Sequence, residues 1–107
     1  MSDGDAPDDC PPADIPDGAL GRELAIVNKK GLHARASAKF VQTVERFDAD
    51  VTVIRCGETA GGRSIMGLLT LGAAQGTTIT VIARGNDAEA CLAALSHLLA
   101  DRFGEDE

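Results

Sequence analysis

Apolar residues recur along this chain with two different spacings, and the switches between them divide it into elements. Residues 23–28 (ELAIVN) are short and aliphatic and predict a strand, followed by an Asn-Lys-Lys-Gly loop. From Ala36 the apolar positions fall at Ala36, Phe40, Val41, Val44 and Phe47. That three-and-four spacing predicts a helix with one face inward, ended by Asp48-Ala49-Asp50. Residues 51–56 (VTVIRC) are β-branched and strand-like, with a tight turn expected at Gly57-Glu58. Residues 59–63 predict a return strand, weakened by Gly61-Gly62. Ser64 ahead of Ile65-Met66-Gly67-Leu68-Leu69 reads as the N-cap of a short helix. Gly72 and Gly76 bound a loop, and residues 78–83 (TITVIA) form the clearest strand. Gly85-Asn86-Asp87 opens a last helix whose inward stripe is Ala88, Leu92, Leu95, Leu99 and Phe103, with Gly104 as its stop.

The order βαββαβα, four strands and three helices, suits a two-layer α+β domain with the helices on one face of the sheet. The other face is then expected to be open to water. The threonines and Arg55, alternating with aliphatics in VTVIR and TITVI, fit that expectation.

Charge divides the chain further. Its 107 residues are one domain's length, and with three phenylalanines and no tryptophan or tyrosine the core must be aliphatic. The net charge of -7 is an uneven average. Residues 1–20 hold six aspartates, four prolines and no lysine or arginine, which predicts a disordered acidic N-terminal extension. Residues 105–107 (EDE) form an acidic C-terminal tail. The body between, residues 21–104, carries all ten basic residues against eight acidic ones, a charge of about +2. The start of the chain has neither a basic region nor an apolar core for a secretory signal. No apolar run approaches the ~20 residues of a membrane span, so a cytoplasmic protein without membrane contact is expected. Cys10, Cys56 and Cys91 show no metal-binding spacing; the simplest expectation is a thiol in the tail and two small buried residues, with no disulfide framework.

The basic residues gather around one imidazole. His33 follows Gly31 in a loop leading from a strand into a helix, with Lys29, Lys30, Arg35 and Lys39 nearby in sequence. A helix N-terminus presents free N–H groups and suits an anion. A neutral imidazole is nucleophilic, so His33 could take a phosphoryl group and rest it against the helix end. A histidine that only caps or packs at a helix start explains the spacing equally. No cofactor or metal site is expected: His97, on the last helix among leucines, has no Cys or acidic cluster to complete a zinc site. Nucleic acid is not expected as a partner, given the acidic ends and the lack of aromatics for stacking. No G-x-S-x-G or Walker lysine motif is present. Ser64 reads either as a helix cap or as a phosphorylation site whose new charge a helix N-terminus tolerates.

Two stretches carry a resemblance. Asn28-x-x-Gly31-Leu32-His33-Ala34-Arg35 resembles the active-site segment of the HPr family, the histidine-containing phosphocarriers of the bacterial phosphotransferase system. Residues 62–72 (GRSIMGLLTLG) resemble its regulatory-serine segment. The likeness covers residues 21–103, with the two motifs in the right order. It implies the HPr open-faced β-sandwich: a four-stranded antiparallel sheet with three helices on one face. It also implies a stoichiometric relay more than an enzyme. His33 would carry the phosphoryl group on Nδ1, as a phosphohistidine intermediate, with Arg35 helping to neutralise it. Phosphate would arrive from phosphoenolpyruvate through Enzyme I and leave to a IIA-type protein. Ser64 would be modified by the HPr kinase/phosphorylase. Ile65, Met66 and Leu69 would form an apolar docking patch, with Lys30 and Lys39 as basic docking residues on a monomer. Likeness to the regulatory, nitrogen-type branch leaves open whether the relay serves sugar transport. The rival reading is a non-catalytic regulatory module, bound by partners according to its phosphorylation state. Two positions depart from the family pattern: Ala36 stands where many members have proline, and Arg63 replaces the usual lysine before the serine.

Overall fold

The structure, a computed structural model, describes residues 13–107. Its elements run β1 (Leu20–Ala25), α1 (Ala34–Val44), β2 (Asp50–Arg55), β3 (Glu58–Gly61), α2 (Ile65–Thr70), β4 (Thr78–Arg84) and α3 (Ala88–Ala100), then a short 3-10 turn at Arg102–Gly104. The predicted order βαββαβα is the observed one. Every strand pairing is antiparallel and the sheet runs β1-β4-β2-β3. The first and last strands in sequence are therefore neighbours, and Leu20 lies opposite Ala83.

Alternation decides which side of each strand meets the helices. Leu24 on β1, Val51 and Val53 on β2, Ala60 on β3, and Ile79, Val81 and Ala83 on β4 point into one core. Phe40 and Val44 of α1, Leu68 of α2, and Leu92, Leu95 and Leu99 of α3 close that core from the helical side. Cys91 is buried among them, and burial pushes its thiol up from the ordinary value.

Four details correct the sequence reading. Arg55 shares the parity of Val51 and Val53, so it lies on the helical side and not on the outer face. There its Nη1 donates to Leu71 O at 3.2 Å, satisfying a carbonyl at the end of α2. The tight turn is Cys56-Gly57, not Gly57-Glu58. Arg55 pairs with Glu58 and both turn residues have positive φ, 53° and 80°, the geometry whose twist matches a two-residue hairpin. Cys56 is exposed there and disulfide-bonded, so only Cys91 matches the small buried thiol expected of both. The last helix stops at Ala100, and Phe103 enters the core from a left-handed residue (φ 56°) instead of from a fourth turn of the helical stripe.

The outer sheet face is less open than alternation alone suggests. Ile82 lies on that face yet is only 6% exposed. Ile15 lies against Gly21, the partner of Ile82 across the β1–β4 pair; a Cβ on Gly21 would meet Ile15 Cδ1 at 2.6 Å. The expected acidic extension thus has residues 13–19 beside the sheet. Its residues 1–12, with Cys10, lie outside the described residues.

Candidate functional site

The loop between β1 and α1 is pinned at both sides before it reaches His33. Ile26 N–H donates to Thr77 O and Leu32 N–H to Ala73 O, both at 2.9 Å. Asn28 is fully buried, and its Nδ2 donates to Gly31 O at 2.9 Å, closing the loop on itself. Gly31 is required twice. Its φ is +68°, and a Cβ there would lie 2.5 Å from Ala73 O. Gly31→Ala should therefore destabilise the domain by about 2 kcal/mol or more, from left-handed strain plus the displaced loop. A urea titration reads this as a lower midpoint at unchanged slope; an unchanged midpoint would show that the loop has another conformation open to it.

His33 is the N-cap of α1, with φ -79° and ψ -177°. A ring nitrogen does what a serine or aspartate oxygen usually does at this position: Nδ1 accepts from the Arg35 backbone N–H at 3.3 Å. The other nitrogen, Nε2, donates to Glu105 Oε2 at 2.5 Å. The carboxylate of Glu105 only accepts, which assigns the imidazole hydrogen to Nε2 and leaves the Nδ1 lone pair facing the start of the helix. Glu105 is held in turn by Asn28 Nδ2, which donates to its Oε1 at 3.1 Å. The hydrogen bond from His33 holds the Glu105 carboxyl below its ordinary range, against a smaller upward push from burial, with further help from Asn28 and Lys30. Asn28, His33 and Glu105 thus form one chain of polar contacts in which each residue orients the next.

Charge completes the site. Lys29, Lys30, Arg35 and Lys39 form one side of a half-open groove of about 420 Å³, and residues 104–107 form the other. Lys39 is partly committed already, because its Nζ donates to Phe103 O at 2.5 Å. Ala36 is fully buried in the first turn of α1, where its methyl adds to the core.

Ser64 caps α2, its Oγ accepting from Gly67 N–H at 2.9 Å, and the residue is exposed. It does not line the basic groove beside the His33 loop. Beside it Ile65 is 39% exposed and Met66 71%, whereas Leu69 is half-buried. His97 lies exposed on α3. Among the described residues no group of three or more His, Cys, Asp or Glu could hold a metal ion, and no helix is long and apolar enough to cross a membrane.

Sequence reasoning missed Glu105 as a partner of His33. It lies 72 residues away, and its only visible signal was the acidic run it opens, opposite in sign to the cluster at residues 29–39.

Comparison with known proteins follows the same geometry. The family model described as "PTS HPr component phosphorylation site" matches residues 20–101. The phosphocarrier protein HPr of Xylella fastidiosa (strain Temecula1) is 46% identical over 87 residues, covering 81% of this chain and 98% of that protein. The phosphocarrier protein NPr of Shewanella violacea is 41% identical over 86 residues, covering 80% and 94%. Among solved structures, HPr of Thermoanaerobacter tengcongensis superposes with a TM-score of 0.78 at 38% identity, covering 82% of this chain and 99% of that one.

Proposed function

Because the chain belongs to the HPr family of phosphocarrier proteins, we propose that it accepts a phosphoryl group on His33 Nδ1 from phospho-Enzyme I and hands it to a IIA-type protein. The observation that carries this reading is the division of labour on the imidazole. Nε2 is tied to Glu105, and the Nδ1 lone pair points at the N-terminus of α1.

Nδ1 attacks the phosphorus in line. The new N–P bond forms as the donor's bond to phosphorus breaks, and the donor keeps the electron pair. The ring becomes more positive as it donates electrons, and the Glu105 carboxylate against Nε2–H stabilises that charge where it develops. Arg35 and the first free N–H groups of α1 face the transferred oxygens, the electrostatic help that phosphoryl transfer needs. The helix-end contribution is modest, roughly 0.3–1 kcal/mol for an exposed site, which leaves the group transferable. The acceptor's nucleophile then reverses the step. The chain is regenerated, so it acts as a stoichiometric carrier, here taken as a cytoplasmic monomer. Lys30, Ile65, Met66 and the partly exposed Leu69 provide docking contacts, a basic rim and an apolar patch.

Ser64 serves as a second, regulatory acceptor for an HPr kinase/phosphorylase. A phosphoryl group there would replace the hydroxyl cap of α2 by an anion beside exposed Ile65 and Met66, altering which surfaces dock. The exposure of that patch also supports the rival reading, a regulatory module read by its phosphorylation state without passing phosphate on.

Phosphoenolpyruvate with Enzyme I should give one acid-labile phosphate per chain, chased off by a IIA protein. Labelling without chase would leave the regulatory module standing, and no labelling would overturn the carrier. Offering a sugar-permease IIA beside a nitrogen-type IIA assigns the branch. ATP with the kinase should give an acid-stable phosphate that Ser64→Ala lacks; label persisting on the variant would remove Ser64 from this role.

A further inference from the structure

The C-terminal segment does more than present Glu105. Three consecutive residues, Arg102, Phe103 and Gly104, have positive φ (56°, 56° and 78°), and they turn the chain from the end of α3 back toward His33. Phe103 is 1% exposed and anchors that turn in the core. Beyond it the segment lies along the basic groove through repeated contacts. Glu105 takes hydrogen bonds from His33 and Asn28. Arg102 Nη1 donates to Asp106 O at 3.0 Å. Glu107 accepts from the Lys29 N–H through its backbone oxygen at 2.5 Å and pairs with Lys29 Nζ at 3.4 Å through its side chain. An acidic peptide therefore already contacts Lys29 and shares the groove with Lys30 and Arg35, the basic side chains that an incoming acidic surface or phosphoryl group has to reach.

We propose that Asp106 and Glu107, which follow the Glu105 held by His33 and Asn28, form an autoinhibitory strap. It screens the Lys29, Lys30 and Arg35 side of the groove in the unphosphorylated chain and is released when His33 carries phosphate. This rests on the phosphocarrier reading above and adds a regulation to its site. Release follows from charge: a phosphoryl group on His33 places a new anion beside a groove whose other side carries the Asp106 and Glu107 carboxylates, and like charges at short range repel. The unphosphorylated form is thereby partly closed to donors, and the phosphorylated form displays its lysines to acceptors. The strap is weak by construction. Lys29 and Glu107 are 70% and 72% exposed, and a surface pair of that kind contributes little.

The test keeps Glu105 in place. Wild type is compared with Asp106→Asn/Glu107→Gln and with a chain shortened to end at Glu105, each as the phosphoryl acceptor of Enzyme I. The strap predicts that the double variant lowers KM about two- to fivefold at low salt, the shortened chain somewhat more, with kcat unchanged. The difference should vanish as salt screens the groove. Equal or higher KM in both variants would overturn the strap while leaving the carrier intact, whereas phosphate on none of the three proteins would overturn the carrier reading itself. Amide exchange gives the second readout. The Lys29 N–H should be protected in the unphosphorylated wild type and exchange faster once His33 is phosphorylated; protection that persists would overturn the release.

Discussion

His33→Ala is expected to abolish acid-labile phosphate uptake completely while the domain stays folded. The two halves of that expectation come from different contacts. The reaction needs a nucleophilic lone pair at the start of α1, and alanine has none. Folding loses a cap and the part-buried contact of Nε2 with Glu105: Nδ1 accepts one long bond from Arg35 N–H, and losing an N-cap costs about 0.5–2 kcal/mol. The lower end fits a 3.3 Å contact. The core that holds α1, with Phe40 and Val44 fully buried, is untouched. His33→Asn sharpens the comparison, because asparagine is a good N-cap without being a phosphoryl acceptor. It should recover the cap's share of the stability and none of the uptake. Acid-labile phosphate on either variant would move the acceptor elsewhere, with His97 the remaining histidine to examine.

The second large effect is structural and reaches the site from behind. Phe103→Ala should cost about 3–5 kcal/mol, the usual range for emptying a fully buried phenylalanine position. Small domains have total stabilities of about 5–15 kcal/mol, so this variant would sit close to its unfolding threshold. Its consequence for function is more specific than general loosening. Phe103 holds the left-handed turn whose carbonyl takes Lys39 Nζ and whose next residues deliver Glu105 to His33. Removing the ring should free that turn, so the carboxyl of Glu105 should return toward its ordinary titration range, because the hydrogen bond that lowers it is lost. A lowered pKa means the contact is present at neutral pH and is lost as pH falls through the folded-state value. Denaturation together with carboxyl titration by NMR checks both parts. A Glu105 titration unchanged in a destabilised but folded variant would show that the tail is held by its ion pairs alone.

How much of this was legible in the sequence depended on range. Local signals carried well. The stripe at Ala36, Phe40, Val41 and Val44 and the Ser64 cap need only a few neighbouring residues to be read, and all are where the spacing put them. Errors arose where a residue's partner lies far along the chain. Arg55 was assigned to the outer face because it is charged, whereas its parity and the α2 carbonyl at Leu71 put it inside. Phe103 continued the stripe of α3 on paper, but the helix yields to a left-handed turn two residues after it ends. The candidate nucleophile, His33, was marked by glycine and basic neighbours. Its orienting carboxylate was not, because nothing in residues 29–39 indicates which of the acidic residues comes to meet Nε2.

The pairing of β1 with β4 has a consequence for how the chain acquires its chemistry. Leu20 and Ala83 are partners 63 positions apart, and the loop that carries His33 is tied down by Thr77 and Ala73, and by Glu105 and Glu107, on the far side of that closure. Contacts of such high sequence separation carry the entropy cost of closing the intervening chain, and sheets that depend on them fold more slowly than helical bundles. Hairpin β2–β3 is the local piece and can form early. A chain caught before closure thus exposes an imidazole with neither its helix-end cradle nor its carboxylate. On the phosphocarrier reading, competence to accept phosphate therefore requires the β1–β4 closure as well as the local helix.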